Sequence, residues 1–285
     1  MAEVPKIRLG EQVGPRESRV DPDWAMAYAL ATNDPNPAYL ERGVVPPFFT
    51  VSMILPSYLE ANQLMGAHGA VTGATGGAHG QHNLLLHKPI TPGSVLSFVA
   101  EGYQASMTPA GGRSTVRIQI RDETGDLCVE HFWTTIHIKG QLDPVGPELP
   151  EHNFPDEARA NKLGTLTIDV AGDQTYRYAG ASFDHAIIHM DDIAAQRNGM
   201  ERKFMQGLFT AACCSQAVIK FGSNGDPLPL KRMAMRFSSP VYTREQLTID
   251  TYDGGRTPEG RKLVHFEAFN RGKAAIRHGW AEFDL

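Results

Sequence analysis

The chain repeats itself. With Tyr28 placed over Tyr178, "YALATNDPNPAYLE" (28–41) lies above "YAGASFDHAIIHMD" (178–191), and Tyr28/Tyr178, Ala29/Ala179, Thr32/Ser182 and Asp34/Asp184 coincide. Further along, "HKPITPGSVLSF" (87–98) aligns with "SSPVYTREQLTI" (238–249), pairing Pro89 with Pro240 and Leu96 with Leu247. Two matches in the same order at nearly one offset point to an internal duplication, which requires both halves to make the same supersecondary unit. Between them "GQLDPVGPELPEHNFPDEA" (140–158) holds four prolines and little apolar periodicity, as a linker does. The expected organisation is a first repeat over 1–139, a linker over 140–158 and a second repeat over 159–285.

Each repeat reads in the same order. "DPDWAMAYALA" (21–31) predicts a helix with Asp21 or Asp23 placed to cap it. A second, more apolar helix follows, "FFTVSMILPSYLEANQ" (48–63) in the first repeat and "GLFTAACCSQAVIKF" (207–221) in the second. Four alternating strands come next in each repeat, separated by "PAGG", "DETG", "DGGRTPEG" and "NRG", which are hairpin and turn chemistry. The Gly-rich "GAVTGATGGAHG" (69–80) reads as a flexible loop, since no Gly-Lys-Ser/Thr completes a phosphate loop. A central apolar helix followed by a strand meander predicts an α+β unit in which a sheet wraps a helix. Two such units can pair edge strands into one continuous sheet, which removes two exposed edges.

Composition narrows the classes of function. A chain of 285 residues, 41% hydrophobic and 21% charged, describes a soluble globular protein with a sizeable core. A net charge of −5 argues against nucleic acid as the partner, because neutralising phosphates needs a basic surface. No apolar run approaches the roughly 18–20 residues that span a bilayer, so no membrane partner is expected. The N-terminal "MAEVPKIRLGEQVG" has no signal-peptide core, and three cysteines make no disulfide framework; a reducing cytoplasm fits both.

The densest titratable cluster is "SFDHAIIHMDD" (182–192), with two histidines and three aspartates in eleven positions. Such a stretch is either a solvated loop or a general acid/base pair. The pattern Tyr-Ala-x-x-(Ser/Thr)-x-Asp, with a His five residues after the Asp and then x-Asp, resembles the MaoC-like hydratase/dehydratase family, which includes the (R)-specific enoyl-CoA hydratases and has the hotdog fold. The resemblance covers most of the chain and is more specific in the second repeat, through Asp184, His189, Asp191, Gly199 and Gly207. It implies a double hotdog in which Asp184 and His189 activate water and the Gly207 N–H serves as oxyanion hole. It also implies an acyl-CoA or acyl-carrier-protein thioester as substrate, no cofactor and a homodimer. Two positions depart from the family pattern: Ala186-Ile187 stand where Asn-Pro is usual, and Gln206 stands where a His usually precedes the glycine.

The chemistry asks for the same residue types. Hydrating an enoyl thioester needs a base for water, an acid for the α-carbon and donors for the thioester oxygen. A His beside a carboxylate suits the first two, with an ordinary pKa of about 6.5. A glycine opening a helix suits the third, because unpaired N–H groups and the helix dipole favour negative charge there. The first repeat keeps Asp34, Asn36 and Pro37 but has Tyr39 in place of the His, and "VVPPFFT" (44–50) brings no glycine to its helix. Its helix start, with Phe49 and Met53, is expected to shape the acyl pocket. Arg232 and Arg236 fall on one face of a strand, either as a solvated face or as contacts for the phosphates of coenzyme A or acyl carrier protein. Four histidines at 68, 79, 82 and 87 lack the acidic companions and helical spacing of a metal site, so none is expected. Two other readings stay open: a hotdog thioesterase, and a non-catalytic subunit of a heteromeric hydratase.

Overall fold

The strand order carries the duplication. The computed structural model describes residues 7–41, 43–65, 71–149 and 152–285. The chain divides into one unit of Met1–Arg19, Ile54–Lys88 and Val95–Glu151 and another of Val20–Met53, Pro89–Ser94 and His152–Leu285. The first contains β1 (Gln12–Arg19), β2 (Gly76–Leu86), β3 (Val95–Thr108), β4 (Gly111–Arg121) and β5 (Leu127–Ile138), hydrogen-bonded in the order β1-β3-β4-β5-β2. The second contains β6 (Lys162–Val170), β7 (Leu230–Phe237), β8 (Glu245–Arg256), β9 (Lys262–Asn270) and β10 (Lys273–Phe283), in the order β6-β8-β9-β10-β7. All these neighbours are antiparallel. The two orders are one permutation, so each repeat folds the same way: first strand at one edge, second strand at the other, and a three-strand meander between.

Each sheet has its helix. In the second unit α6 (Gly207–Gly222) is apolar nearly all round, with Phe209, Ala211, Cys213, Cys214, Ala217 and Val218 buried, and it packs on β6 to β10. Its small residues let the sheet come close. A Cβ on Gly164 of β6 would lie 2.4 Å from the Phe221 ring. In the first unit the later part of α3 (Val51–Met65) lies on its sheet, where Tyr58 stacks on Trp133 with ring centroids 3.9 Å apart and meets the Thr135 hydroxyl at 2.6 Å.

The unit boundary falls inside α3, so residues 20–53 belong with the second sheet. There α1 (Pro22–Ala31), followed by the short α2 (Pro37–Glu41), packs on α4 (Gln174–Ser182). Asp21 caps α1, accepting from the N–H groups of Asp23 at 2.8 Å and Trp24 at 3.3 Å. The duplicated tyrosines meet, Tyr28 and Tyr178 hydroxyls being 3.3 Å apart and both rings buried. Trp24 Nε1 donates to the Ala181 carbonyl at 2.7 Å, and Gln174 Nε2 to that of Ala31 at 2.8 Å.

Three sequence expectations need correction. Each repeat opens with a strand, β1 or β6, that was not expected. The loop expected over 69–80 is strand from Gly76 onward, while Gly69 and Ala70, like His68, lie outside the described residues. In the segment expected as linker, residues 152–158 pack on the second sheet, where Phe154 stacks on His265 at 4.9 Å and packs on Tyr252. No helix among the described residues is long and apolar enough to cross a membrane.

Candidate active site

The cluster at 182–192 is shaped by its backbone. Helix α4 ends where Phe183 adopts a left-handed conformation, φ 60°, and its N–H closes on the Ala179 carbonyl at 2.8 Å. Asp184 follows, half-buried, its N–H donating to Ser182 Oγ and its Oδ1 accepting from Ala186 N, both at 3.3 Å. One 3-10 turn, Ile187–His189, then carries the histidine inward. Asp191 caps α5 (Asp192–Arg197), accepting from Ala194 N at 2.7 Å. Asp192 accepts from Lys203 N at 2.9 Å. These two aspartates fix the loop, and His185 is exposed.

His189 is only 8% exposed, and its ring packs edge-on to Phe204 at 4.8 Å. Its Nδ1 lies 2.8 Å from the Phe204 carbonyl. A carbonyl can only accept, so Nδ1 carries the proton and Nε2 presents its lone pair. Burial pushes the His189 pKa below its ordinary value, while the Asp184 charge and the Phe204 carbonyl partly offset that. The imidazole is therefore neutral near pH 7 and ready to take a proton.

Gly207 is the first residue of α6, where an N–H has no intrahelical acceptor. Gln206 before it is buried and donates from Nε2 to the Thr175 carbonyl at 3.2 Å and the Asp184 carbonyl at 3.1 Å. Gln206, next to Gly207, thus reaches the Asp184 backbone, and His189 lies within electrostatic range of the Asp184 carboxylate. Sequence reading passed over Gln206 as a mere departure from pattern.

The first repeat is assembled differently. Asp34 is buried, which raises its pKa, and the Asn36 N–H donates to its Oδ1 at 3.1 Å. Asn36 braces this loop, accepting from Ala38 N at 3.0 Å and donating to the Gly225 carbonyl at 2.8 Å. Burial, then the Asp34 charge, drives the Tyr39 pKa well above its ordinary value, so it cannot replace an imidazole base. A cavity of about 720 Å³ opens beside Asp34, lined also by Asn33, Gln174, Gln216 and Lys220.

The remaining expected residues lie elsewhere in the second unit. Phe49 is fully buried, edge-on to Trp24 at 5.0 Å and Tyr28 at 5.9 Å, and Met53 is 6% exposed. Arg232 on β7 pairs with Glu282 at 3.0 Å, and Glu282 also takes Arg261 at 3.1 Å, so the Arg232 charge is balanced. Arg236 forms no ion pair among the described residues.

Residues 156–271 match the family model described as "MaoC like domain", which spans β6, the Asp184–His189 loop, α6 and β7 to β9. The match covers most of the second repeat. Over 213 residues the chain is 26% identical to 3-hydroxyacyl-thioester dehydratase Y of Mycobacterium tuberculosis, covering 70% of this chain and 68% of that protein. Other relatives are spanned over less than two thirds of their length. Among solved structures, a MaoC-like dehydratase from Phytophthora capsici superposes with a TM-score of 0.79 at 17% identity, covering 95% of both chains. A Mycobacterium tuberculosis protein described as having a double hotdog fold superposes with a TM-score of 0.57 at 14% identity, covering 98% of this chain and 96% of that one. The fold is the double hotdog, and the segment that matches the MaoC-like model contains Asp184, His189 and Gly207.

Proposed function

We propose that the protein is a hydro-lyase that adds water to, or removes it from, carbons 2 and 3 of an acyl thioester, with (R)-3-hydroxyacyl stereochemistry. The observation that carries this reading is His189: buried, neutral, its Nδ1–H fixed on the Phe204 carbonyl, and its ring within electrostatic range of the Asp184 charge. In hydration, His189 and Asp184 share the proton of a water whose oxygen bonds to carbon 3, and the same pair delivers a proton to carbon 2. As the double bond moves toward the carbonyl, the thioester oxygen gains negative charge. The Gly207 N–H at the head of α6 is the donor assigned to it, reinforced by the helix dipole. Elimination of water runs through the same groups in reverse.

The test is incubation with crotonyl-CoA and longer enoyl-CoAs, following enoyl absorbance and free thiol separately, with the product resolved on a chiral phase. Loss of absorbance without thiol release, and an (R)-3-hydroxyacyl product, is the expected result. Thiol release would make the protein a thioesterase. Neither signal across a chain-length series would leave a non-catalytic subunit as the better reading.

A further inference from the structure

Gln206 is a buried side chain to which this chemistry assigns no task. It stands at the N-cap of α6, where a polar side chain ordinarily turns back to the helix's own free N–H groups. It makes no such bond. Its Nε2 instead reaches two carbonyls, Thr175 at the start of α4 and Asp184 beyond the end of α4. Because both acceptors are carbonyls, the amide orientation is fixed. Its Oε1 is left buried and without a hydrogen-bond partner.

Asp191 and Asp192 fix the far end of the loop, but at Asp184 itself the side-chain and N–H bonds reach only Ala186 and Ser182, each at 3.3 Å. In the first repeat the equivalent loop is held by Asn36, whose amide spans to Ala38 and Gly225. The residue equivalent to Asn36 is Ala186, which has no polar side chain. One repeat is braced from within its loop, the other from the head of the neighbouring helix.

We infer that Gln206 is a positioning residue: it ties the Asp184 peptide to the peptide that carries the Gly207 N–H, and so sets carboxylate and oxyanion donor at one separation. This rests on the hydro-lyase reading for its catalytic consequence, but the tie itself has a readout without substrate. An amide makes the tie without adding charge, so His189 feels the Asp184 carboxylate alone from this side. Cutting the tie frees the Asp184 loop, weakens that coupling and lets the His189 pKa fall further.

The experiment compares Gln206→Met, close in length but without donors, with Gln206→Asn, which keeps the amide but is one methylene short of spanning both carbonyls. A misplacement of about 1 Å can cost about a hundredfold. The expected loss in kcat is at least about tenfold, with KM within about threefold, since ground-state binding is untouched. By NMR, the His189 ring titration should move to lower pH in both variants. A folded variant with unchanged His189 titration and near-normal kcat would overturn the inference. So would a lowered Tm with kcat per folded molecule unchanged, which would make Gln206 a structural brace only. If Gln206→Met fails to fold, Gln206→Asn is read by the same criteria. If the wild-type protein hydrates no enoyl thioester, the function proposed above falls, and the titration alone decides the role of Gln206.

Discussion

At the scale of single residues, the site turns on where one proton sits. His189 is neutral because burial outweighs the Asp184 charge, so its folded pKa lies below the ordinary 6.5. A base works only when unprotonated; kcat/KM should therefore fall as pH drops through that lowered value, and the acid limb of the profile should lie below pH 6.5. Asp184→Asn removes the charge that raises this pKa, so the limb should move to still lower pH. The same substitution, and His189→Ala, should each reduce turnover by at least about a hundredfold with folding retained. If the two groups act on one water, as proposed above, the double variant should be little worse than the poorer single one. A pH–rate series on the four proteins checks direction and magnitude together. Near-normal activity in either single variant would show that the chemistry lies elsewhere.

At the scale of elements, what was legible followed how much each segment buries. Helix α6 and the four-strand meanders announce themselves through apolar runs and alternation. Strand β1 does not: of "QVGPRESR" only Val13 is fully buried, and Gly14 and Pro15 read as a turn. Gly14 is needed there, with φ 117° and its would-be Cβ 2.7 Å from the Phe98 carbonyl oxygen. Strand β6 offered a readable signal in the alternation of "TLTIDV", which was passed over. At the site, Asp184 and His189 were visible as spacing. The brace from Gln206 was not, because its acceptors are backbone carbonyls 31 and 22 residues away, and a carbonyl has no letter in the sequence. Packing at this scale is tight. Gly164→Ala sets a Cβ against the Phe221 ring and should destabilise the protein by about 1–3 kcal/mol, read from urea denaturation. At the head of α3, Met53→Ala should change the ratio of kcat/KM between long and short enoyl-CoAs, by about 1–3 kcal/mol per methylene gained or lost. A uniform loss at every chain length would remove this helix from the acyl pocket.

At the scale of the whole molecule, buried histidines govern the response to acid. Burial, chiefly, takes His131 and His152 down to about 3 and His82 well below its ordinary value. The unfolded chain protonates these groups near pH 6.5 while the folded one does not. Their contribution is whole above that pH and is lost as pH falls toward 3. The urea midpoint should thus be clearly lower at pH 5.5 than at pH 7.5, and equal midpoints would contradict the burial of these rings. Residues 20–53 bear on how the gene can be divided. They are encoded in the first copy yet folded into the unit of the second, where Tyr28 meets Tyr178 and the Ala31 carbonyl receives Gln174. A polypeptide of 159–285 produced by itself lacks those partners and should be insoluble. Co-expressing 1–158 should return it to solution as a complex, because the missing helix arrives in trans. A gene divided between the two repeats should therefore work only when both halves are present, since each then carries part of the other's fold.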